Sequence, residues 1–263
     1  MARKIVITSG KGGVGKTTIT ANLGVYLSRL GFRVLIIDVD IGLNNLDVIM
    51  GMERQVVFDL TDVVCGKCRV RQALVQDPNY PSLYLLPSSH TYSASKINGE
   101  HIKNIIEIVD HSFDYILIDC PAGVEAGFER AVYAAQEALI VVTPHLSSIK
   151  DADKVVGLLG DFDITNKYLI INRMRGDLLM SGEVMKIENI VKAINIPLIA
   201  VIPEDDKVSK MSTDGHIMTD CESARAFTLL AENLQNGCKK IYDCTYKYRG
   251  LMGYLKRNIK KIV

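Results

Sequence analysis

The chain has 263 residues, is 48% hydrophobic and carries a net charge of +1. That length and core fraction suit one large α/β domain, and no Pro-, Gly- or Ser-rich linker divides it. No apolar stretch reaches the length of a membrane span. Six cysteines (Cys65, Cys68, Cys120, Cys221, Cys238, Cys244) with no secretory pattern ahead of them point to a reduced, cytoplasmic setting rather than a disulfide framework.

Short apolar runs alternate with helical patterns along the chain. The first strand is Ile5-Val6-Ile7, and Gly10-Lys11-Gly12-Gly13-Val14-Gly15-Lys16-Thr17-Thr18 follows it. Between a strand and a helix this spacing marks a phosphate-binding loop. The next helix is predicted from Lys16 to Leu30, with Gly31 as its stop. The second strand, Val34 to Ile37, leads into Asp38 and Asp40. Cys65-Gly66-Lys67-Cys68 has metal or redox spacing but no second pair or nearby His, so it reads as a turn, with a metal shared across subunits as the alternative. A helix over 99–111 precedes the strand Tyr115 to Ile118, which ends in Asp119 and Pro121-Ala122-Gly123. The strand Leu139 to Val142 precedes a helix over 148–160, for which Ser148-x-x-Asp151 predicts a capping box. The strand Leu169 to Ile171 runs into Asn172 and Arg173, and a helix follows over 183–193. The strand Leu198 to Ile202 runs into Pro203-Glu204-Asp205, and a helix spans 222–241.

Continuous apolar strands separated by helices predict a doubly wound, mostly parallel sheet buried on both faces. In such sheets ligands bind beyond the carboxyl ends of the strands, where all these polar residues fall. Lys16 is placed to reach the β- and γ-phosphates of a nucleotide, and Thr17 to ligate Mg²⁺. Asp119 holds that ion directly or through water, Asp38 belongs to its shell, and Asp40 orients the attacking water. Asn172 and Arg173 are candidates for reading the base. An Asn amide matches the donor and acceptor of an adenine edge, and no guanine-type Asn-Lys-x-Asp motif occurs. Pro203 and Asp205 flank the base. Lys11 is surplus to a nucleotide already served by Lys16, which directs it to a nucleotide held by another subunit.

The last stretch differs from the rest. Residues 247–263 hold Lys247, Arg249, Lys256, Arg257, Lys260 and Lys261 and no acidic residue, so the remainder of the chain is acidic. An acidic body argues against general nucleic-acid binding and directs attention to the tail. On a helix Tyr248, Leu251, Met252, Leu255, Ile259, Ile262 and Val263 fall within an arc of roughly 120°. Residues 244–263 therefore read as a basic amphipathic helix for an anionic phospholipid surface, with 1–243 as the body. One such tail binds weakly. Two on a dimer gain about 10²–10⁴-fold through effective concentration.

The phosphate loop, Asp38-Val39-Asp40-Ile41-Gly42-Leu43-Asn44-Asn45-Leu46-Asp47 and Asp119-Cys120-Pro121-Ala122-Gly123 resemble the ParA/MinD ATPases, whose phosphate loop is a deviant Walker A motif. The resemblance covers nearly the whole chain. It implies ATP hydrolysis with Mg²⁺ and an ATP-bound homodimer in which Lys11 reaches the partner's phosphates. It further implies a MinC-type division inhibitor and a MinE-type or DivIVA-linked topological regulator, docked around the helix bearing Asp151 and Asp153, on the cytoplasmic face of the cell membrane. Two alternatives stay open. One is a DNA-partitioning or flagellar-placement relative; the other is an iron–sulfur carrier ATPase using Cys65 and Cys68.

Overall fold

The computed structural model describes residues 1–42, 45–89, 97–208, 210, 217, 219–238, 240–250 and 253. In chain order the elements are β1 (Arg3–Thr8), α1 (Lys16–Arg29), β2 (Val34–Asp38), α2 (Leu46–Ile49), α3 (Leu60–Val64), α4 (Val70–Ala73), β3 (Val75–Gln76), β4 (Leu83–Leu86) and α5 (Gly99–Val109). They continue with β5 (Tyr115–Asp119), α6 (Ala126–Val132), β6 (Glu137–Val142), α7 (Leu146–Leu158), β7 (Asn166–Met174), α8 (Gly176–Ser181), α9 (Ile187–Ile194), β8 (Leu198–Pro203) and α10 (Ala224–Asn236).

Among the described residues the strands form one eight-stranded sheet in the order β3-β4-β2-β5-β1-β6-β7-β8. The pairs from β4 to β8 are parallel, and β3 joins β4 antiparallel. Strand alternation divides the apolar side chains between two cores. Val6, Leu35, Ile116 and Ile118 pack with Ile105 of α5, Phe128 of α6, Ile149 of α7 and Ile190 of α9. Ile5, Ile7, Ile36 and Leu117 pack on the other face with Leu23 of α1 and Phe227 of α10. Helices on both faces explain why the strands read as unbroken apolar runs. The chain leaves β1 toward β2 on one side, and later crosses from β5 to β6 on the other. The edge beyond β1 is therefore the switch point at which such sheets bind ligands.

The predicted strands and long helices all occur, with shifted ends. The helix expected over 222–241 stops at Asn236, where Gly237 takes a φ of 79°. The helix expected over 183–193 begins only at Ile187. The expected capping box at Ser148 does not form. Helix α7 starts earlier, with His145 at its N-cap position, and Ser148 is buried in its first turn, where its hydroxyl accepts a bond from the Thr143 amide at 3.1 Å. The hairpin of β3 and β4 lies outside the expected strands, although Leu83-Tyr84-Leu85-Leu86 is an apolar run of the same kind as the others.

The boundary placed at residue 244 also shifts. Cys244 and Tyr248 are buried, Lys247 pairs with Glu222, and Arg249 pairs with Asp243 at 2.5 Å. Residues Tyr246–Tyr248 form a 3₁₀ turn against α8. These residues belong to the body, so Tyr248, Lys247 and Arg249 are not part of an amphipathic tail helix. Leu251, Met252, Leu255, Ile259 and Ile262 lie outside the described residues. No described helix is long and apolar enough to cross a membrane.

This docking rests on Gly176, where an added Cβ would collide with the Cys244 carbonyl. Gly176→Ala should therefore cost about 1–3 kcal/mol in thermal denaturation, the usual cost of overpacking. Gly157 lies in α7 with open space around it. Gly157→Ala should be neutral or stabilising by up to about 1 kcal/mol.

Candidate functional site

The phosphate loop joins the central strand β1 to α1. Gly13 and Gly15 have φ of 76° and 96°, the left-handed values that line backbone N–H groups along an anion-sized concavity. Two neighbours hold this loop. The Asn172 side-chain amide on β7 donates to the Val14 carbonyl at 2.8 Å, and any Cβ at Gly15 would strike that amide. On the other side an added Cβ at Gly10 would strike the α7 backbone at Asp151. Close approach from both sides is what demands glycine at these two positions.

The two loop lysines diverge. Lys16 is buried, and its Nζ donates to the Ser9 hydroxyl at 3.1 Å. That hydroxyl in turn donates to the Lys11 carbonyl at 2.7 Å. The Lys11 ammonium instead leaves the loop and donates to the Ser147 hydroxyl at 3.1 Å, in an exposed position at the start of α7. A second concavity opens there, between Lys11, Gly12, Gly13, His145, Ser147 and Arg173.

On the opposite flank of the loop lie the carboxylates. The ladder of β2 and β5 sets Asp38 directly beside Asp119, and both are 2% exposed. Burial pushes the Asp119 carboxyl up to about 6, against hydrogen bonds from Thr17 and Thr20 and the charge of Lys16. Thr20 donates to Asp119 at 2.9 Å. Burial and then the charge of Asp119 push Asp38 well above the ordinary carboxylate range, although the Asp40 amide donates to it at 2.9 Å. The half-buried Asp40 is raised by burial and lowered by Lys16 and Arg130. Two buried carboxylates next to the Thr17 hydroxyl form an oxygen-rich set that a divalent cation would relieve of its repulsion. Hard oxygen donors and few protein ligands suit Mg²⁺, so the residues fit the ion.

Beyond β7 and β8 a further opening adjoins the loop, lined by Gly15, Thr18, Asn172, Arg173, Pro203 and Asp205. Asn172 and Arg173 lie within the end of β7 rather than after it. The β7–β8 register shifts between Ile171 and Met174, and Arg173 takes a φ of 55°. The Asn172 nitrogen is committed to the loop, which leaves its oxygen for a base amino group. The Asp205 carboxylate is committed as well. It accepts from the Lys207 amide at 3.0 Å and from the Ser223 amide and hydroxyl at 2.8 and 3.0 Å. Burial alone would raise its pKa, but these bonds hold it below the ordinary range. Asp205 thus builds the wall of the opening instead of reaching into it. Glu204, between Pro203 and Asp205, lines both openings.

Asp151 is half-buried against the loop and Asp153 is exposed, both on α7. Cys65 caps the end of α3 in an exposed position, and Cys68 is half-buried, its thiol pushed up by burial. Among the described residues no three His, Cys, Asp or Glu side chains converge as a metal site.

The fold and this edge define a nucleotide-binding α/β domain of the phosphate-loop type. Residues 5–218 match the CobQ/CobB/MinD/ParA nucleotide-binding domain, and the chain belongs to that family, in its MinD group. The septum site-determining protein MinD of Synechocystis is 41% identical over 263 residues, covering 98% of this chain and 99% of the relative. The MinD structure from an Aquifex aeolicus MinC:MinD cell division complex is 41% identical with a TM-score of 0.85, covering 92% of this chain and 98% of that one. The Pyrococcus horikoshii MinD structure with Mg-ADP is 32% identical with a TM-score of 0.80, covering 90% and 97%.

The Asp38–Asp119 pair has a consequence for the nucleotide-free protein. The unfolded chain releases these protons near the ordinary value of 3.8, whereas folded Asp119 keeps its proton to about 6. Raising the pH through that interval therefore removes stability. Asp38→Asn should raise the melting temperature of the nucleotide-free protein at pH 7 by about 2–4 °C for each kcal/mol of repulsion relieved. It should also flatten the pH dependence between 4 and 6 and weaken Mg²⁺-dependent nucleotide binding.

Proposed function

We propose that this protein is a Mg²⁺-dependent ATPase that dimerises when ATP is bound, attaches to an anionic membrane through its C-terminal residues and recruits a division inhibitor to place the septum. The observation that carries this reading is the divergence of the two lysines. Lys16 turns into the loop, where β- and γ-phosphates would lie, with Thr17, Asp38 and Asp119 beside it for Mg²⁺. Lys11 turns outward to Ser147, onto a face that a second subunit would cover. A cation there serves a partner's phosphates better than its own. Asp40, close enough to feel the Lys16 charge, orients the attacking water. Relatives named as septum site-determining proteins, one of them solved with Mg-ADP, and a MinC:MinD cell division complex support the division role and the ligand. The inhibitor and a MinE-type or DivIVA-linked regulator would meet α7 around Asp151 and Asp153. Asp151 touches the phosphate loop through its backbone, so binding there would sense the nucleotide.

Lys16→Ala should abolish nucleotide binding, read by equilibrium titration. Lys11→Ala should retain ATP binding within about threefold yet lose ATP-dependent dimerisation in sedimentation, as expected of a uniform phosphate contact made only across the seam. A Lys11→Ala protein that dimerises normally with ATP removes the cross-subunit role.

The membrane reading is tested by co-sedimentation with anionic phospholipid vesicles in ATP and in ADP. Removal of residues 254–263 is the suitable deletion, because Tyr248 and its neighbours support the body. Binding should require ATP and fall at least about tenfold in the truncated chain, since avidity of paired tails supplies most of it. Vesicle binding that ignores nucleotide returns the DNA-partitioning alternative, and a DNA-binding assay decides it.

A further inference from the structure

Three hydrogen bonds connect the two lysines of the phosphate loop to each other and to α7. The Lys16 ammonium donates to the Ser9 hydroxyl at 3.1 Å, and that hydroxyl donates to the Lys11 carbonyl at 2.7 Å. The Lys11 ammonium donates to the Ser147 hydroxyl at 3.1 Å. Ser9, directly after β1, is fully buried, so its hydroxyl has no water to turn to. It meets both lysines at once, one through its ammonium and the other through its main chain.

Lys11 lies between Gly10 and Gly12, the residue type that restrains a backbone least. Its direction therefore depends on contacts rather than on its neighbours in sequence. The Ser147 contact is exposed, and the ammonium would give it up in reaching another subunit. The contact from the buried Ser9 hydroxyl holds the Lys11 carbonyl inward while the Lys11 side chain lies exposed. We propose that Ser9 is the positioning residue of Lys11: its hydroxyl turns the Lys11 peptide so that the ammonium is presented at the seam and does not fold back onto its own nucleotide. Nucleotide binding leaves this contact in place. Phosphate oxygens are charged acceptors that draw the Lys16 ammonium away from a neutral hydroxyl, while the same hydroxyl goes on donating to Lys11. The proposal rests on reading Lys11 as the cation that serves a partner's phosphates.

The test is ATP-dependent dimerisation of the full chain with Mg²⁺, read by sedimentation, with ATP titration and melting curves on each variant. Ser9→Ala removes the hydroxyl alone. It should bind ATP within about threefold of the parent, because Lys16 has left the hydroxyl in the bound state. It should dimerise about tenfold more weakly, the scale of one lost hydrogen bond. A merely structural role for Ser9 would weaken ATP binding and dimerisation together, because the whole loop would loosen. Ser9→Thr, which returns a hydroxyl, should recover dimerisation to within about threefold of the parent. Normal dimerisation by Ser9→Ala, or equal losses of ATP binding and dimerisation, overturns the proposal. So does a folded Ser9→Thr that dimerises as weakly as Ser9→Ala. If the added methyl unfolds Ser9→Thr, the split between binding and dimerisation in Ser9→Ala decides. If Ser9→Ala does not fold, Ser9→Cys, whose thiol donates only weakly, takes its place under the same criteria. Normal dimerisation by Lys11→Ala overturns the cross-subunit reading itself, whereas a deficient Lys11→Ala with a normal Ser9→Ala overturns only the role of Ser9.

Discussion

Two carboxylates buried side by side at the ends of adjacent central strands shape everything around them. Asp38 and Asp119 are forced together by the β2–β5 ladder and are shut away from water. Such a pair is unfavourable by itself, because neither charge is solvated and each repels the other. The surroundings reduce the cost without cancelling it: Thr20 donates to Asp119, the Asp40 amide donates to Asp38, and the Lys16 charge lies near. What remains is a standing attraction for a divalent cation, located beside the loop where a phosphate chain would lie. A bound ion and nucleotide would thereby be coupled, since each would offset a charge the other leaves exposed.

The phosphate loop is the second constraint, and it is held by elements that have other work to do. Asn172 ties it to the end of β7, where the further opening begins, and the α7 backbone presses on Gly10. The loop therefore cannot shift without moving either the wall of the opening beyond β7 and β8 or the helix proposed to meet partner proteins. Lys11 extends this connection outward through Ser147 at the start of α7. A dimer seam closing over Lys11 and a partner on α7 would act on the same few contacts, which is a physical route for nucleotide state and partner binding to influence each other.

The C-terminal junction extends the same economy of contacts. Asp205 in the wall of the opening beyond β7 and β8 clasps Ser223, the neighbouring Glu222 takes Lys247, and Tyr248 is buried. The described chain up to Gly250 is thus anchored to the body, through Glu222 and Asp243. Charge alone could not have separated Lys247 and Arg249 from the basic residues that follow. Both are basic and both flank an aromatic residue, yet their carboxylate partners, Glu222 and Asp243, hold them to the body.

Much of this protein was determined locally in its sequence. The unbroken apolar runs required strands covered on both faces, and the glycine pattern ahead of Lys16 required a phosphate loop. Asp38, Asp119 and Asn172 follow apolar runs, so their arrival at one edge was legible from the order of residues alone. The tertiary structure alone decided how these groups are used. Asn172 spends its nitrogen on the Val14 carbonyl and Asp205 spends its carboxylate on Ser223, both through contacts between residues far apart in sequence. Ser148 resembled a cap but was drawn into the first turn of α7 to meet Thr143. Periodicity and spacing report which face of an element is apolar and where a chain turns. They do not report which distant donor is nearest to a given oxygen, because that follows from the packing of whole layers rather than from neighbours along the chain.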